Sequence, residues 1–325
     1  MSIQNKIKLD GGEFILKDIS PDEVFSPEDF SEEQKMIKDT VIEFIDREIW
    51  PQKMRFEEKD YDLTVEMMKK IGDLGLLGVN VDQNYGGLGM DFVSTMLVCD
   101  YISGSSGSLA TAYGAHTGIA ILPIYLYGNE EQKNEYLPKL TSGEWFGSYC
   151  LTEPTAGSDA NSGKTKAELS EDGTHYLISG HKIWISNAGF ANLFIVFARI
   201  EDDKNLTGFI VPNDPNNGIK LSEEEKKLGI HSSSTRQVFF EKTKVPIENL
   251  LGERNGGFKI AMNALNVGRI KLGAGNLDGQ RRVISGAVDY ANNRVQFKQP
   301  ISNIGSIIDK KAMMAKSCYG GESTC

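Results

Sequence analysis

The apolar period of this 325-residue chain changes twice along its length, and that double change constrains its fold more than any other feature. From about residue 27 to 145, apolar residues recur at steps of three and four, the spacing that gathers them on one stripe of an α-helix. Ser26-Pro27 and Ser31-x-x-Gln34 supply helix-start signals, and Ile37, Val41, Phe44, Ile45 and Ile49 follow as one stripe before Pro51. The stretches 65–77, 90–103, 116–127 and 130–140 carry the same period between Gly-rich turns.

After Trp145 the pattern becomes β. Short runs at 176–178, 182–186, 194–200 and 238–240 are separated by Gly, Asn, Asp and Pro, so a compact β domain is expected. From Gly256 the helical period returns through Phe258, Ile260, Ala261, Leu265 and Leu272, with a second helix expected from about 278 to 294. The fold class is therefore α+β. The expected division is an N-terminal extension over 1–26, a helical domain over 27–145, a β domain over 146–252 and further helices over 253–325.

A hydrophobic content of 40% allows a sizeable core, and the length suits two or three domains. The net charge of −10 argues against a nucleic-acid partner, whose phosphates need clustered Lys and Arg. No uninterrupted apolar run approaches the roughly 20 residues of a membrane span, and the opening MSIQNKIKLDGGEF lacks the apolar core of a signal peptide. A cytoplasmic location is expected on that basis. Cys99, Cys150, Cys318 and Cys325 show no CxxC pairing, and His116, His175, His181 and His231 have no ligand spacing with them, so neither a disulfide framework nor a metal is expected. There is no GxGxxG for a Rossmann nucleotide site.

Four places invite chemistry. Thr152 follows the expected strand 146–151 and precedes Pro154, which fixes its hydroxyl and the neighbouring amides at a strand end, free to bind something. A Pro/Gly-rich turn capped by Asp159 explains any one of these residues, though not the whole string from Cys150 to Asp159. Trp184 and Ser186, two apart in a strand, would present an indole and a hydroxyl on one face; an ordinary buried Trp beside a capping Ser has the same spacing. Gly268 inside an expected helix costs about 1 kcal/mol relative to Ala, which implies a close approach, with Arg269 facing the same cleft. Arg294 sits near a helix C-terminus, where the dipole alone favours a cation by about 0.3–1 kcal/mol.

The run Cys150-Leu151-Thr152-Glu153-Pro154-Thr155-Ala156-Gly157-Ser158-Asp159 closely resembles the first signature of acyl-CoA dehydrogenases. Tyr85 to Gly89, Ile178 to Gly189 and Pro246 to Glu253 match further, and the similarity covers about residues 27–325. Lys226 to Ile230, Phe239-Phe240, Gly257 to Met262 and Asn266-x-Gly268-Arg269 look most like the very-long-chain branch. The resemblance implies an N-terminal helical domain, a middle β-barrel and a C-terminal helical bundle, incomplete here, with non-covalent FAD between the last two. It implies that Tyr149, Cys150, Leu151 and Thr152, with Trp184, Ile185 and Ser186, contact the flavin, and that Gly157 and Ser158 approach its pyrophosphate. Ser158, Asn266 and Arg269 would meet the acyl-CoA. Arg294, in Arg294-x-x-Phe297, would bind the FAD of a neighbouring subunit, so a homo-oligomer is expected; Lys298 and Ile304 depart from the family's usual Gly and Phe.

The reaction implied is α,β-dehydrogenation of fatty acyl-CoA in β-oxidation, a carboxylate taking the α-proton as hydride leaves the β-carbon for the flavin. Electrons would pass to electron-transferring flavoprotein. Gly268 occupies one of the two positions where the family holds its catalytic Glu, and the other is expected beyond Cys325. Residues 315–325 end in mid-helix, so the chain is expected to be truncated and to lack turnover. An acyl-CoA oxidase, or a non-catalytic binding or assembly protein of the same fold, stand as the alternatives.

Overall fold

Ser31 opens the first long helix by a reciprocal cap: its Oγ accepts from the Gln34 N–H at 3.1 Å, and Gln34 Oε1 accepts from the Ser31 N–H at 2.9 Å. The computed structural model describes residues 13–20 and 25–323; Cys325 and most of the extension 1–26 lie outside the described residues. Helices α1 (Glu13–Leu16), α2 (Glu32–Phe44), α3 (Lys53–Glu57), α4 (Tyr61–Asp73), α5 (Phe92–Ser105), α6 (Gly107–Gly114), α7 (Leu122–Tyr127) and α8 (Glu130–Thr141) precede the first strand. The stripe Ile37, Val41, Phe44, Ile45 and Ile49 is buried along α2 and the π-helical turn Ile45–Ile49 that continues it.

A second π-helical segment, Ala115–Ile121, joins α6 to α7, so the helical run begins at Gly107 rather than near His116 as the sequence suggests. Gly107–Tyr127 is long and apolar enough to cross a membrane, which corrects the reading that no stretch qualifies. Here it is a core helix, with Leu109, Ala112, Tyr113, Ala120, Ile121 and Ile124 at most 2% exposed.

The middle of the chain supplies eight strands: β1 (Gly147–Cys150), β2 (Lys166–Leu169), β3 (His175–Ser186), β4 (Leu193–Ile200), β5 (Thr207–Pro212), β6 (Ile219–Leu221), β7 (Thr235–Pro246) and β8 (Leu250–Leu251). They form one sheet in the order β6-β7-β3-β2-β4-β5-β8, with β1 parallel to β4. The sheet curves over its own core: Tyr176 of β3 meets Phe209 of β5 with ring centroids 5.2 Å apart, and Phe194 of β4 meets Phe240 of β7 at 6.2 Å. Ile178, Val196, Val238 and Val245 fill the space between. Helices α9 (Gly257–Ala274) and α10 (Leu277–Asn293), a hairpin of β9 (Val295–Gln296) with β10 (Gln299–Pro300), and α11 (Gly305–Glu322) complete the described chain. The order is helices, sheet, helices, as the two changes of period require.

The runs 176–178 and 182–186 turn out to be two ends of a single twelve-residue strand, β3. Gly180 interrupts the β-forming pattern between them because nothing larger fits: a Cβ there would lie 2.3 Å from Thr165 Oγ1 and 2.6 Å from Thr165 Cβ. Thr165 is itself buried and β-branched, so it cannot swing aside. Gly180→Ala is therefore expected to lower stability by roughly 1–3 kcal/mol. Gly286→Ala, in the interior of α10 where an added Cβ meets nothing within 4 Å, is expected to raise it by up to about 1 kcal/mol. Urea unfolding midpoints of the two variants check both signs.

Candidate functional site

The sheet delivers two strand ends to one place. Tyr149 at the end of β1, with Leu151 and Thr152 just beyond it, shares a cleft of about 370 Å³ with Trp184, Ile185 and Ser186 at the end of β3. Gly157, Ser158 and Ala160 border it, and Ile119 of the π-helical segment with Met262, Leu265 and Arg269 of α9 forms its helical wall. The Tyr149 hydroxyl donates to the Ala261 carbonyl at 3.2 Å, tying β1 to α9, and Ser148 Oγ donates to the Ser186 carbonyl at 2.8 Å, tying β1 to β3.

Trp184 and Ser186 reach the cleft by a different route from strand alternation. Lys182 pairs with Val238 and Ile185 with Arg236, which leaves Ile183 and Trp184 together against Gln237, a β-bulge. Trp184 takes φ +59°, a left-handed backbone that a bulky residue rarely adopts. Consequently three successive residues, 184 to 186, line the cleft, where a regular strand would have turned the middle one away. The indole is 56% exposed, so one face is open to a ligand.

A buried ion pair holds this arrangement. Ile178, Gly180 and Lys182 alternate onto the inner face of β3, and Lys182 is fully buried there. Its Nζ donates to Glu153 Oε1 at 2.8 Å, to the Phe197 carbonyl at 2.7 Å and to the Leu151 carbonyl at 3.1 Å. Glu153 also accepts from the backbone N–H groups of Lys164 at 2.6 Å and Thr165 at 3.0 Å. Burial would raise the Glu153 carboxyl, but the Lys182 charge and these hydrogen bonds outweigh it and hold the group below the usual carboxylate range. Burial pushes the Lys182 ammonium down while Glu153 opposes the shift. Neither residue stands out as a site residue in the sequence; the signal was a lysine at an inward position of an apolar strand.

Behind the helical wall lie two further buried groups. His116 accepts from the Gly147 N–H at Nδ1, 3.1 Å away, and its Nε2 contacts the Leu140 carbonyl at 2.9 Å, a pair of partners that assigns the proton to Nε2 of a neutral ring. Burial lowers its pKa to about 4. Lys271 of α9 donates to Thr117 Oγ1 at 3.1 Å and forms no ion pair among the described residues; burial pushes its amine down.

Within the cleft, the hydroxyls of Thr152, Ser158 and Ser186 and the backbone N–H groups of Gly157 and Ser158 have no hydrogen-bond partner among the described residues. None of the described residues lining it is a carboxylate. Arg269 lines the cleft and donates to Asn266 Oδ1; Asn266 is exposed and outside the lining. A Cβ at Gly268 would meet no atom within 4 Å, so the close approach expected of this glycine is not made among the described residues. Cys150 lies outside the lining too: its side chain is fully buried in the sheet core, and burial raises its thiol pKa. Arg294 is at the C-terminal end of α10, away from the cleft, beside a hairpin whose tip residues Phe297 and Lys298 have φ of +51° and +64°. Phe297 is 86% exposed.

Three consecutive domain descriptions of one family match the chain: the acyl-CoA dehydrogenase N-terminal domain over residues 31–144, the middle domain over 148–243 and the C-terminal domain over 255–325. A probable acyl-CoA dehydrogenase of Bacillus subtilis is 45% identical over 315 residues, 97% of this chain and 52% of that protein. An acyl-CoA dehydrogenase of the same organism is 40% identical over 289 residues, 88% of this chain and 75% of that protein. Among solved structures, an acyl-CoA dehydrogenase from Bacillus anthracis complexed with FAD matches with a TM-score of 0.90 at 48% identity, covering 96% of this chain and 54% of that one. The chain belongs to the acyl-CoA dehydrogenase family. It spans about half the length of the first and last of these proteins.

The buried neutral His116 makes the wall of the site acid-sensitive. Its folded pKa of about 4 lies below the unfolded value of 6.5, so the unfolded chain binds the proton first as pH falls. Stability from this group is complete above about pH 6.5 and is lost towards pH 4, at about 1.4 kcal/mol per pH unit. His116→Gln should flatten that segment of a plot of unfolding free energy against pH. An unchanged slope would mean that His116 is not the group responsible.

Proposed function

We propose that the chain carries the FAD and acyl-CoA thioester site of an enzyme that introduces an α,β double bond into fatty acyl-CoA. The observation that carries this reading is the set of groups around one cleft that have no partner among the described residues, an open indole, three hydroxyls and two backbone N–H groups, with the Arg269 guanidinium beside them. They fit a flavin nucleotide. The Trp184 indole packs on a planar ring, the Thr152 and Ser186 hydroxyls hydrogen-bond its edge, and the Gly157 and Ser158 amides receive an anionic oxygen. The Bacillus anthracis relative, itself complexed with FAD, supports the same cofactor here.

FAD, when bound, supplies the acceptor for the hydride that leaves the β-carbon. This chain's own residues bind and orient. Ser158 and Arg269 hold the polar end of the acyl-CoA, and the apolar wall of Ile119, Met262 and Leu265 keeps water from the reacting carbons. Arg294, outside the cleft, meets the cofactor of a second copy of the chain. Relatives named as very long-chain specific acyl-CoA dehydrogenases favour a fatty acyl group. A structural neighbour from work on the electron transferring flavoprotein of Acidaminococcus fermentans, 33% identical with a TM-score of 0.83, supports such a flavoprotein as electron acceptor.

Reconstitution with FAD, followed by flavin absorbance, tests the cofactor; a well-folded chain that takes up none refutes the reading. Trp184→Ala is expected to weaken binding by about 1.5–3 kcal/mol, the value of burying a large aromatic surface. Ser186→Ala should cost only about 0.5–1.5 kcal/mol, one hydrogen bond, and should act chiefly on the rate of flavin reduction.

Removal of the α-proton needs a carboxylate that the described cleft residues do not include. The chain should therefore leave bound flavin oxidised when palmitoyl-CoA is added without oxygen. Gly268→Glu puts a carboxylate beside Arg269 in open space and should restore bleaching, since a positioned general base is worth about 10²- to 10⁴-fold. Bleaching of the unsubstituted chain at the variant's rate would show that a base is already present among its residues.

A further inference from the structure

The Glu153–Lys182 pair is more than a sheet-core ion pair, because both of its residues are next in sequence to segments that line or shape the cleft, Glu153 to Thr152 and Lys182 to the bulged pair Ile183 and Trp184. Lys182 Nζ holds the Leu151 carbonyl, and Leu151 and Thr152 both line the cleft. The next residue after Lys182, Ile183, donates its N–H to the Thr152 carbonyl at 2.9 Å. Ile183 and Trp184 are the bulged pair that carries the indole into the site. On its other side Glu153 receives the Lys164 and Thr165 amides, which fixes the far end of the same loop. The loop 151–153 and the bulge 183–184 are thus fastened to each other at one buried point, with all three ammonium protons committed.

Stability alone does not account for this choice of residues. A buried ion pair is often no better for stability than an apolar pair of the same volume, whereas its directional bonds do fix the relative position of the parts they join. Here the parts joined are the two segments whose separation sets the shape of the cleft. A strained backbone at Trp184, φ +59°, persists only where the surroundings hold it, and Lys182 with Ile183 are the nearest holding points.

We propose that Glu153 and Lys182 are positioning residues for the flavin: their pair sets the spacing between the Thr152 edge and the Trp184 indole. This rests on the FAD reading above. Neutralising the pair relaxes the loop and the bulge, so the ring loses its fitted seat even though the sheet remains folded.

The test uses the double variant Glu153→Gln/Lys182→Met, which removes both charges and keeps one acceptor oxygen, for either the Lys164 or the Thr165 amide. Glu153→Gln alone is the second variant, in which the lysine keeps its bonds to the two carbonyls. Two readouts are needed, one without cofactor. Amide hydrogen exchange of Ile183 in the apo-protein should quicken at least tenfold in the double variant and less in the single, while far-UV circular dichroism and the thermal midpoint change little. FAD titration should then give an affinity at least tenfold weaker, with the visible circular dichroism of any bound flavin moved towards that of free FAD. Unchanged Ile183 exchange together with wild-type flavin affinity and spectrum in a folded double variant overturns the proposal. If the double variant does not fold, Glu153→Gln decides by the same two readouts. A wild-type chain that folds but takes up no FAD sinks the cofactor reading itself, and that outcome is separate from the exchange result.

Discussion

Lys182 is a cation with no access to water, and the middle of the molecule is organised around keeping that state tolerable. An ammonium in a low-dielectric core needs three acceptors and a countercharge, and it finds them in Glu153, Leu151 and Phe197. Those acceptors come from two separate parts of the chain: the loop after β1, which gives Leu151 and Glu153, and β4, which gives Phe197. Satisfying one side chain therefore fastens the signature loop to the sheet interior. The cleft inherits its shape from that fastening, because Leu151, Thr152 and Trp184 all line it.

The helical wall is joined to the sheet by the same kind of bond. His116 bridges the Gly147 amide of β1 and the Leu140 carbonyl of α8, and Asn187 at the end of β3 donates to the Ala112 carbonyl of α6 at 2.9 Å. Ala112, His116 and Ile119 lie on one continuous helical run, and Ile119 lines the cleft. The π-helical segment Ala115–Ile121 contains both His116, which bonds backbone groups of the core, and Ile119, which lines the cleft. Both sets of contacts end on backbone groups, so the wall and the sheet are held by directional bonds between His116 or Asn187 and the main chain.

Much of this is legible in one dimension. The stripe from Ile37 to Ile49, the cap at Ser31 and Gln34, and the helix expected from about 278 to 294 follow from local spacing, because an amphipathic helix is specified by its own residues. The string from Cys150 to Asp159 marks the site, and Tyr149, Leu151, Thr152, Gly157, Ser158, Trp184, Ile185, Ser186 and Arg269 do converge on one cleft. The twelve-residue length of β3 was hidden by Gly180, which breaks the β pattern for the sake of Thr165, the residue just before β2. That contact is non-local, and no window along the chain contains both residues.

By itself, then, the sequence determined the succession of helices, strands and helices and the identity of the residues offered to the site, since both depend on spacing and side-chain type. Tertiary structure decided how those residues are presented. The bulge that turns Trp184 into the cleft arises from pairing β3 with β7 out of step, and Cys150 is lost to the core because β1 lies against β4. The partnership of Glu153 with Lys182, twenty-nine residues apart, likewise exists only once the sheet has closed over them. Spacing says which way a side chain points in a regular strand, but only packing against a neighbour decides where the strand stops being regular.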